Sequence, residues 1–150
     1  MTETLSHLPP WALLPNMPNP YFEEGNCVHG AVRYTTRDLA DVAKGKPVTY
    51  VPIHKLVSEL DRPVWLGNCV PMDVIVLIKS GVDTTDHIYT EHIDRILYAD
   101  ISYPIIIDSY YGILDGYHRL AQHYIRGSVT VNCIMLQRVD LKSIRHYISC

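Results

Sequence analysis

The feature that most constrains the fold is a change of period in the sequence between residues 105 and 125. Residues 105–107 are a compact run of isoleucines, which is typical of a buried strand. After Asp115 and Gly116 the apolar residues recur at i, i+3, i+4, i+7 and i+8. These apolar residues are Tyr117, Leu120, Ala121, Tyr124 and Ile125. The pattern predicts a strand that is followed, across a glycine, by an amphipathic helix.

The first turn of this predicted helix carries two basic side chains, His118 and Arg119. The helix macrodipole disfavours a cation there by about 0.3–1 kcal/mol, counting His118 only when it is protonated. The backbone N–H groups of a first turn have no intrahelical partners, and Gly116 lets a ligand approach the main chain closely. Arg119 and His118 can both donate hydrogen bonds to a phosphate. The pattern indicates an anion site, unless Asp115 is simply the N-cap and offsets both cations itself.

The residues around this helix start form a longer motif. Residues 103–108 read Tyr-Pro-Ile-Ile-Ile-Asp, and residues 113–121 read Ile-Leu-Asp-Gly-Tyr-His-Arg-Leu-Ala. With Gly127 before the strand-like run 129–135, they resemble the ParB/sulfiredoxin superfamily. That superfamily has a Pro-Ile-Ile-Val type strand, a second short strand and a Gly-x-(His/Arg)-Arg-x-x-Ala helix start that holds nucleotide phosphates. Here the alanine comes one residue early, at Ala121, and Gln122 stands at the family's position.

The resemblance covers about the last third of the chain and is looser upstream. Residues 51–59 look like the family's opening strand and turn, and residues 90–98 look like the helix before the Pro-Ile-Ile strand. The resemblance implies a ParB/sulfiredoxin-like domain over residues 36–150. The length of 150 residues suits one domain, and the alternation of predicted helices and strands independently favours a mixed α/β sheet with packed helices.

The function that the resemblance implies is a nucleotide-dependent phosphotransferase, similar to a kinase that uses ATP or ADP. Gly116, His118 and Arg119 would hold the phosphates of a nucleoside triphosphate or diphosphate, and Asp115 would orient Mg²⁺ or the acceptor hydroxyl. Glu59 lies at about the place where superfamily members that phosphorylate a small hydroxyl have their base, although an exposed helical glutamate is the alternative. The acceptor would be a small molecule or a nucleoside in DNA.

Two other function classes stay open, a non-enzymatic module that binds a nucleotide or a protein, and a nucleic-acid-processing protein of the ParB-like kind. The net charge of −3 and the pI near 6.2 weigh against nucleic acid as a partner. The sulfiredoxin reaction itself is not expected, because the cysteine that it needs between the glycine and the histidine is Tyr117 here. A ParB partition protein would also continue into a helix-turn-helix domain, for which we expect no room.

Other site patterns are weaker. Residues 25–30 have the glycine spacing of a phosphate-binding P-loop, but Ala-Val follows where Lys and Ser or Thr are required. The histidine pairs 87 and 92, and 118 and 123, are five residues apart, whereas two metal ligands on one helical face are four apart. The four cysteines form no C-x-x-C pair, and we expect them to be reduced thiols. Scattered surface or core histidines are the favoured explanation, and the identity of any metal ligands stays open.

The N-terminal residues 1–35 are predicted to be a proline-rich extended arm. Five of the ten prolines fall in the first twenty residues, which disfavours a long helix or an inner strand. Apolar side chains such as Trp11 and Phe22 suggest that the arm packs on its own domain or on the second subunit of a homodimer. The chain has neither a secretory leader nor an apolar run of about 18 residues, so a cytoplasmic protein without a membrane partner is expected.

Caps and apolar runs predict the remaining elements. These are a helix from an N-cap at Thr36 through Ala43, a strand over 48–51, a helix that begins within 52–60 and stops at Pro63, a helix capped by Thr90, a strand over 129–136, and a last helix that is capped by Asp140 and bears Leu141, Ile144 and Ile148. The period of residues 72–79 does not decide between a buried helix and a strand. Pro71 before this run and Gly81 after it favour the helix.

Overall fold

Helices and strands alternate along the chain in the computed structural model, which describes residues 32–81, 83–144 and 146–147. In chain order the elements are β1 (Val32–Arg33), α1 (Thr36–Ala43), β2 (Thr49–Pro52), two 3₁₀ turns (Ile53–Lys55 and Val57–Asp61), α2 (Pro71–Ser80), α3 (His87–Leu97), β3 (Ile105–Asp108), β4 (Ile113–Asp115), α4 (Tyr117–Arg126), β5 (Thr130–Leu136), α5 (Arg138–Lys142) and β6 (His146–Tyr147). The predicted mixed α/β class is confirmed.

Four of the strands form one mixed sheet in the order β2-β5-β3-β4. β5 pairs antiparallel with β2 and parallel with β3, and β3 pairs antiparallel with β4. The short strands β1 and β6 pair antiparallel with each other in a separate sheet. Because β3 and β5 are parallel, the chain crosses from one to the other through β4 and α4. The predicted strand-glycine-helix motif therefore lies in the connection that joins the parallel strands β3 and β5.

The three isoleucines of β3 are buried because both faces of the sheet are covered. Ile105 and Ile107 belong to the core that is formed with α2, α3 and α4. Ile106 points to the opposite face and packs with Leu39 of α1 and Leu141 of α5. Successive side chains of a strand alternate between faces, so an uninterrupted apolar run is what a strand covered on both sides requires.

Two of the predicted helices begin earlier than expected. Thr35, not Thr36, caps α1, and its hydroxyl oxygen accepts from the backbone N–H of Asp38 at 3.1 Å. Asp86, not Thr90, caps α3, and its carboxylate accepts from two backbone N–H groups. The hydroxyl of Thr90 instead donates to the backbone carbonyl of Asp86 at 2.8 Å. An aspartate is at least as good an N-cap as a threonine. The helix α3 therefore begins after Asp86, four residues before the predicted start at Thr90.

The predictions for residues 52–60 and for the last helix are partly wrong. The segment 53–61 forms two 3₁₀ turns, because Pro63 follows too closely for a cooperative α-helix to develop. Asp140 lies at the third position of α5, where its carboxylate accepts from the backbone N–H of Gln137, the true N-cap. This helix ends at Lys142, residues 146–147 are in β6, and Ile148 lies outside the described residues.

The undecided segment 72–79 is helical, and it lies within α2. Pro71 occupies its first turn, and Gly81 ends it with a φ of 68°. Residues 1–31 of the predicted arm, with the P-loop-like segment 25–30, lie outside the described residues. Within the described ranges, no helix has both the length and the apolar character that crossing a membrane requires.

Candidate functional site

The candidate site is the junction between β4 and α4. β4 ends at Asp115, and Gly116 is the N-cap of α4 with a φ of 119°. A Cβ atom at Gly116 would lie 3.1 Å from the Ile105 side chain and 3.1 Å from Nη2 of Arg119. Only glycine combines this backbone conformation with such close neighbours. The glycine thus lets the helix begin directly against β3.

Arg119 is held in a buried ion pair. Its Nη2 atom lies 3.2 Å from Oδ2 of Asp115, and its Nη1 atom donates to the backbone carbonyl of Pro104. Its Nε atom is buried without a hydrogen-bond partner within the described chain. Burial raises the pKa of the Asp115 carboxyl above its ordinary value, whereas the Arg119 charge acts in the opposite direction. Arg119 therefore ties α4 to the end of β4 and to the residue before β3.

His118 points away from this ion pair into an aromatic stack. Its Nε2 atom lies 2.8 Å from Nδ1 of His92 on α3. The Trp65 ring stacks on both imidazoles, with centroids 3.9 Å from His92 and 4.5 Å from His118. Burial lowers the pKa of His92 to about 4 and lowers the pKa of His118 well below its ordinary value. Both rings are therefore neutral at pH 7.

These contacts account for the two basic residues at the helix start. His118 is uncharged, so the macrodipole does not penalise it. Arg119 is neutralised by Asp115, although not in the way that the cap alternative supposed. Gly116 is the N-cap, and the Asp115 carboxylate binds a guanidinium instead of capping the helix.

Glu59 reaches the same junction from the second 3₁₀ turn. Its Oε1 atom accepts from the backbone N–H of Ile113 at 3.1 Å and from the Tyr117 hydroxyl at 3.5 Å. Its Oε2 atom accepts from Nη1 of Arg62 at 2.9 Å. The Glu59 side chain is only 13% exposed, so it is not the exposed helical glutamate of the alternative interpretation.

The structure thus brings four of the five predicted site residues to one junction and turns the side chain of the fifth, His118, toward α3. Sequence reasoning missed Trp65 and His92, which hold that side chain. Nothing in the local sequence marks them, because His92 and His118 are 26 residues apart and meet only in the folded chain.

The sequence-based prediction of an anion site at this helix start concerns main-chain groups whose residues, 116–119, are all buried. The first intrahelical bond of α4 runs from the N–H of Leu120 to the carbonyl of Gly116. The N–H groups before it point along the helix axis toward the positive end of the macrodipole.

Metal ligation and thiol chemistry are not built into the described residues. They contain no group of three or more His, Cys, Asp or Glu side chains arranged to hold a metal ion. Cys69 and Cys133 are buried thiols that form no disulfide. Burial raises the pKa of Cys69 to about 11 and that of Cys133 to about 12, which makes both poor nucleophiles near neutral pH.

Comparisons with models of protein families, with curated proteins and with solved structures find no match to this chain.

Proposed function

We propose that this chain is a ParB/sulfiredoxin-like phosphotransferase that binds a nucleotide at the start of α4 and phosphorylates a small hydroxyl acceptor, either a free metabolite or a nucleoside. The observation that carries the proposal is the contact between Glu59 and Tyr117. A carboxylate that can serve as a base contacts the side-chain hydroxyl of Tyr117, the first residue of α4, and the backbone N–H of Ile113 in β4, across 58 and 54 residues of sequence. Phosphoryl transfer needs this combination of positioned phosphate and positioned base.

The phosphates would be bound mainly by the main chain of α4. The N–H groups of its first turn and the macrodipole would attract an anion, and Gly116 itself is buried against the Ile105 side chain. The Arg119 and His118 side chains are buried, so in this proposal they position the turn and do not themselves grip the phosphate. Arg119 does so through its bonds to Asp115 and Pro104.

The donor set at the junction does not fit a resident Mg²⁺ ion. The Asp115 side chain is 5% exposed and its carboxylate is bound to Arg119, and the described residues offer no cluster of three ligands. Mg²⁺ commonly reaches such sites on the nucleotide's own phosphates, with few protein ligands. No step of the proposal passes through a protein-bound metal.

Glu59 would act as the base that accepts the proton of the attacking hydroxyl. At 3.5 Å, the bond from the Tyr117 hydroxyl is the longest of the three that its carboxylate accepts. An acceptor hydroxyl that takes the place of the Tyr117 hydroxyl would come within reach of Oε1, while Ile113 and Arg62 keep the carboxylate in position. Because Tyr117 is only 4% exposed and belongs to the core, its ring would have to move aside before an acceptor hydroxyl could reach Oε1.

The test combines binding and turnover. Calorimetry with ATP, ADP and CTP, each with Mg²⁺, measures nucleotide affinity, and amide chemical shifts of residues 116–119 report whether the nucleotide lies at the start of α4. With a panel of hydroxyl acceptors, Glu59→Gln should bind the nucleotide normally and lose about 10²- to 10⁴-fold in transfer rate. Glu91→Gln, on the exposed side of α3, removes one charge as a matched control and should keep the rate.

Two results would contradict the proposal. The phosphate site is excluded if no nucleotide shifts the amides of residues 116–119. Catalysis by Glu59 is excluded if Glu59→Gln transfers phosphate as fast as the parent chain. Arg119→Ala is a poor test by itself, because it also breaks a buried ion pair.

A second candidate is a module that binds the nucleotide without turning it over. The observation that favours it is that the Glu59 carboxylate already accepts three hydrogen bonds, which is what a purely structural carboxylate would do. If a nucleotide binds at residues 116–119 and no acceptor is phosphorylated, the chain is a binding module and not a phosphotransferase.

A further inference from the structure

A concave site lies on the face of the sheet that α1 covers, opposite to the face on which α4 packs. It is a cavity of about 280 Å³ between the end of α1, the segment before β3, and the sheet. Its apolar surface includes Ala43 of α1, Ile106 of β3 and Ile134 of β5. We call it the α1 cavity. It is slightly smaller than the roughly 300–1,000 Å³ that drug-sized ligands occupy, so it suits a small molecule with one ring or a short branched chain.

The charged residues on the lining of the α1 cavity are both lysines. Lys44 and Lys46 line it, and no carboxylate does. Lys44 is exposed to solvent, and Lys46 is held in place by an ion pair of 2.9 Å with Asp140. Ser102 also lines the cavity, and its hydroxyl donates to the Asp100 carboxylate at 2.6 Å. An apolar surface lined by the exposed Lys44, and by Lys46 whose ammonium group is shared with Asp140, is complementary to a molecule that has an apolar body and one negative charge.

We infer that the α1 cavity binds a small organic acid, with its apolar body against Ile106 and Ile134 and its carboxylate at Lys44 and Lys46. This inference does not depend on the proposed phosphotransfer. The two sites are nevertheless neighbours through one residue, because Pro104 lines the cavity and its carbonyl oxygen accepts the hydrogen bond from Arg119.

The lysines have a purely structural explanation that the experiment has to separate from binding. Cations are favoured near the C-terminal end of a helix, and Lys44 is the C-cap of α1. A structural role makes no distinction between a charged and a neutral ligand, whereas a binding role does. The probe is therefore phenylacetate, and its uncharged control is phenylacetamide, which has nearly the same shape.

The experiment is a chemical-shift titration of the full chain with each probe at millimolar concentration. Phenylacetate should shift the amides of residues 43–46 and 102–104 and bind about fivefold more tightly than phenylacetamide. The double variant Lys44→Gln/Lys46→Gln should abolish that difference. Lys79→Gln on α2 removes a charge beyond the cavity lining and should leave the difference unchanged.

A variant that fills the cavity gives a second, independent test of binding in the α1 cavity. Ala43→Leu places a larger apolar side chain on the lining and should weaken both probes together, and its thermal unfolding shows whether the chain still folds. The inference is overturned by equal affinities for the two probes, by shifts confined to other residues, or by no shifts at all. If Ala43→Leu fails to fold, the lysine double variant decides.

Discussion

The guanidinium of Arg119 and the carboxylate of Asp115 lie 3.2 Å apart with their side chains only 3% and 5% exposed. Removing one partner leaves an uncompensated buried charge, which costs about 3–5 kcal/mol. Arg119→Met should therefore lower the free energy of unfolding by that amount in urea denaturation. The double variant Asp115→Asn/Arg119→Met should lose much less than the sum of the two single variants, since no charge is left buried. Additive losses would mean that the two side chains do not act as a pair.

The His92 and His118 imidazoles predict a stability that falls in mild acid. Both pKa values are lower in the folded chain than the ordinary 6.5, so protons bind preferentially to the unfolded chain. The stability that they contribute is complete above about pH 6.5 and is lost as the pH falls toward 4, the pKa of folded His92. His92 should contribute a loss of about 1–2 kcal/mol between pH 7 and pH 5, and His118 acts in the same direction.

A variant isolates this contribution from other titrating groups. His92→Phe keeps an aromatic ring beside Trp65 but cannot take up a proton, so its unfolding free energy should change less between pH 7 and pH 5 than that of the parent chain. His87→Gln, at the exposed start of α3, serves as the control and should keep the parent's pH dependence. An unchanged slope in His92→Phe would show that the stack does not set the pH response.

Two glycines with positive φ should respond differently to the same substitution. Gly116 has a φ of 119° and close neighbours at 3.1 Å, whereas Gly127 has a φ of 72° and open space where a Cβ would lie. Gly127→Ala should cost about 1 kcal/mol for its backbone conformation alone. Gly116→Ala should cost about 3 kcal/mol or more, because overpacking against Ile105 adds to the strain. Equal losses in chemical denaturation would contradict the close packing at Gly116.

The buried thiols should be inert in the folded chain. Cys69 and Cys133 have pKa values raised to about 11 and about 12 by burial, so little thiolate exists at pH 8. Iodoacetamide at pH 8 should leave both residues unmodified in peptide mass maps, and modify them after denaturation. Rapid labelling of either residue in the native chain would show that the core opens readily there.

The sequence predicted what depends on local period and missed what depends on tertiary contacts. β3 and α4 follow from the isoleucine run and the apolar stripe, and Gly116 was correctly recognised as the joint between strand and helix. The destination of the Arg119 side chain was not predictable, since its carbonyl partner at Pro104 belongs to another part of the fold.

The same limit explains the errors at element ends. Thr90 and Asp140 are both residue types that commonly cap helices. The actual N-caps are polar residues that come earlier in the chain, Asp86 for α3 and Gln137 for α5. Glu59 was predicted from the family resemblance, and its place at the junction could not have been derived from spacing. It arises because the 3₁₀ turns direct the chain back toward β4.

The parallel pairing of β3 with β5 has a consequence for how the candidate site comes into existence. Ile105 pairs with Cys133 only after the intervening crossover, which includes Gly116 and the whole of α4, has been closed as a loop. Closing that loop is entropically unfavourable until the two strands meet. A chain that has not completed its sheet would therefore lack the proposed phosphate site, and a nucleotide that bound at α4 would stabilise the pairing of β3 with β5.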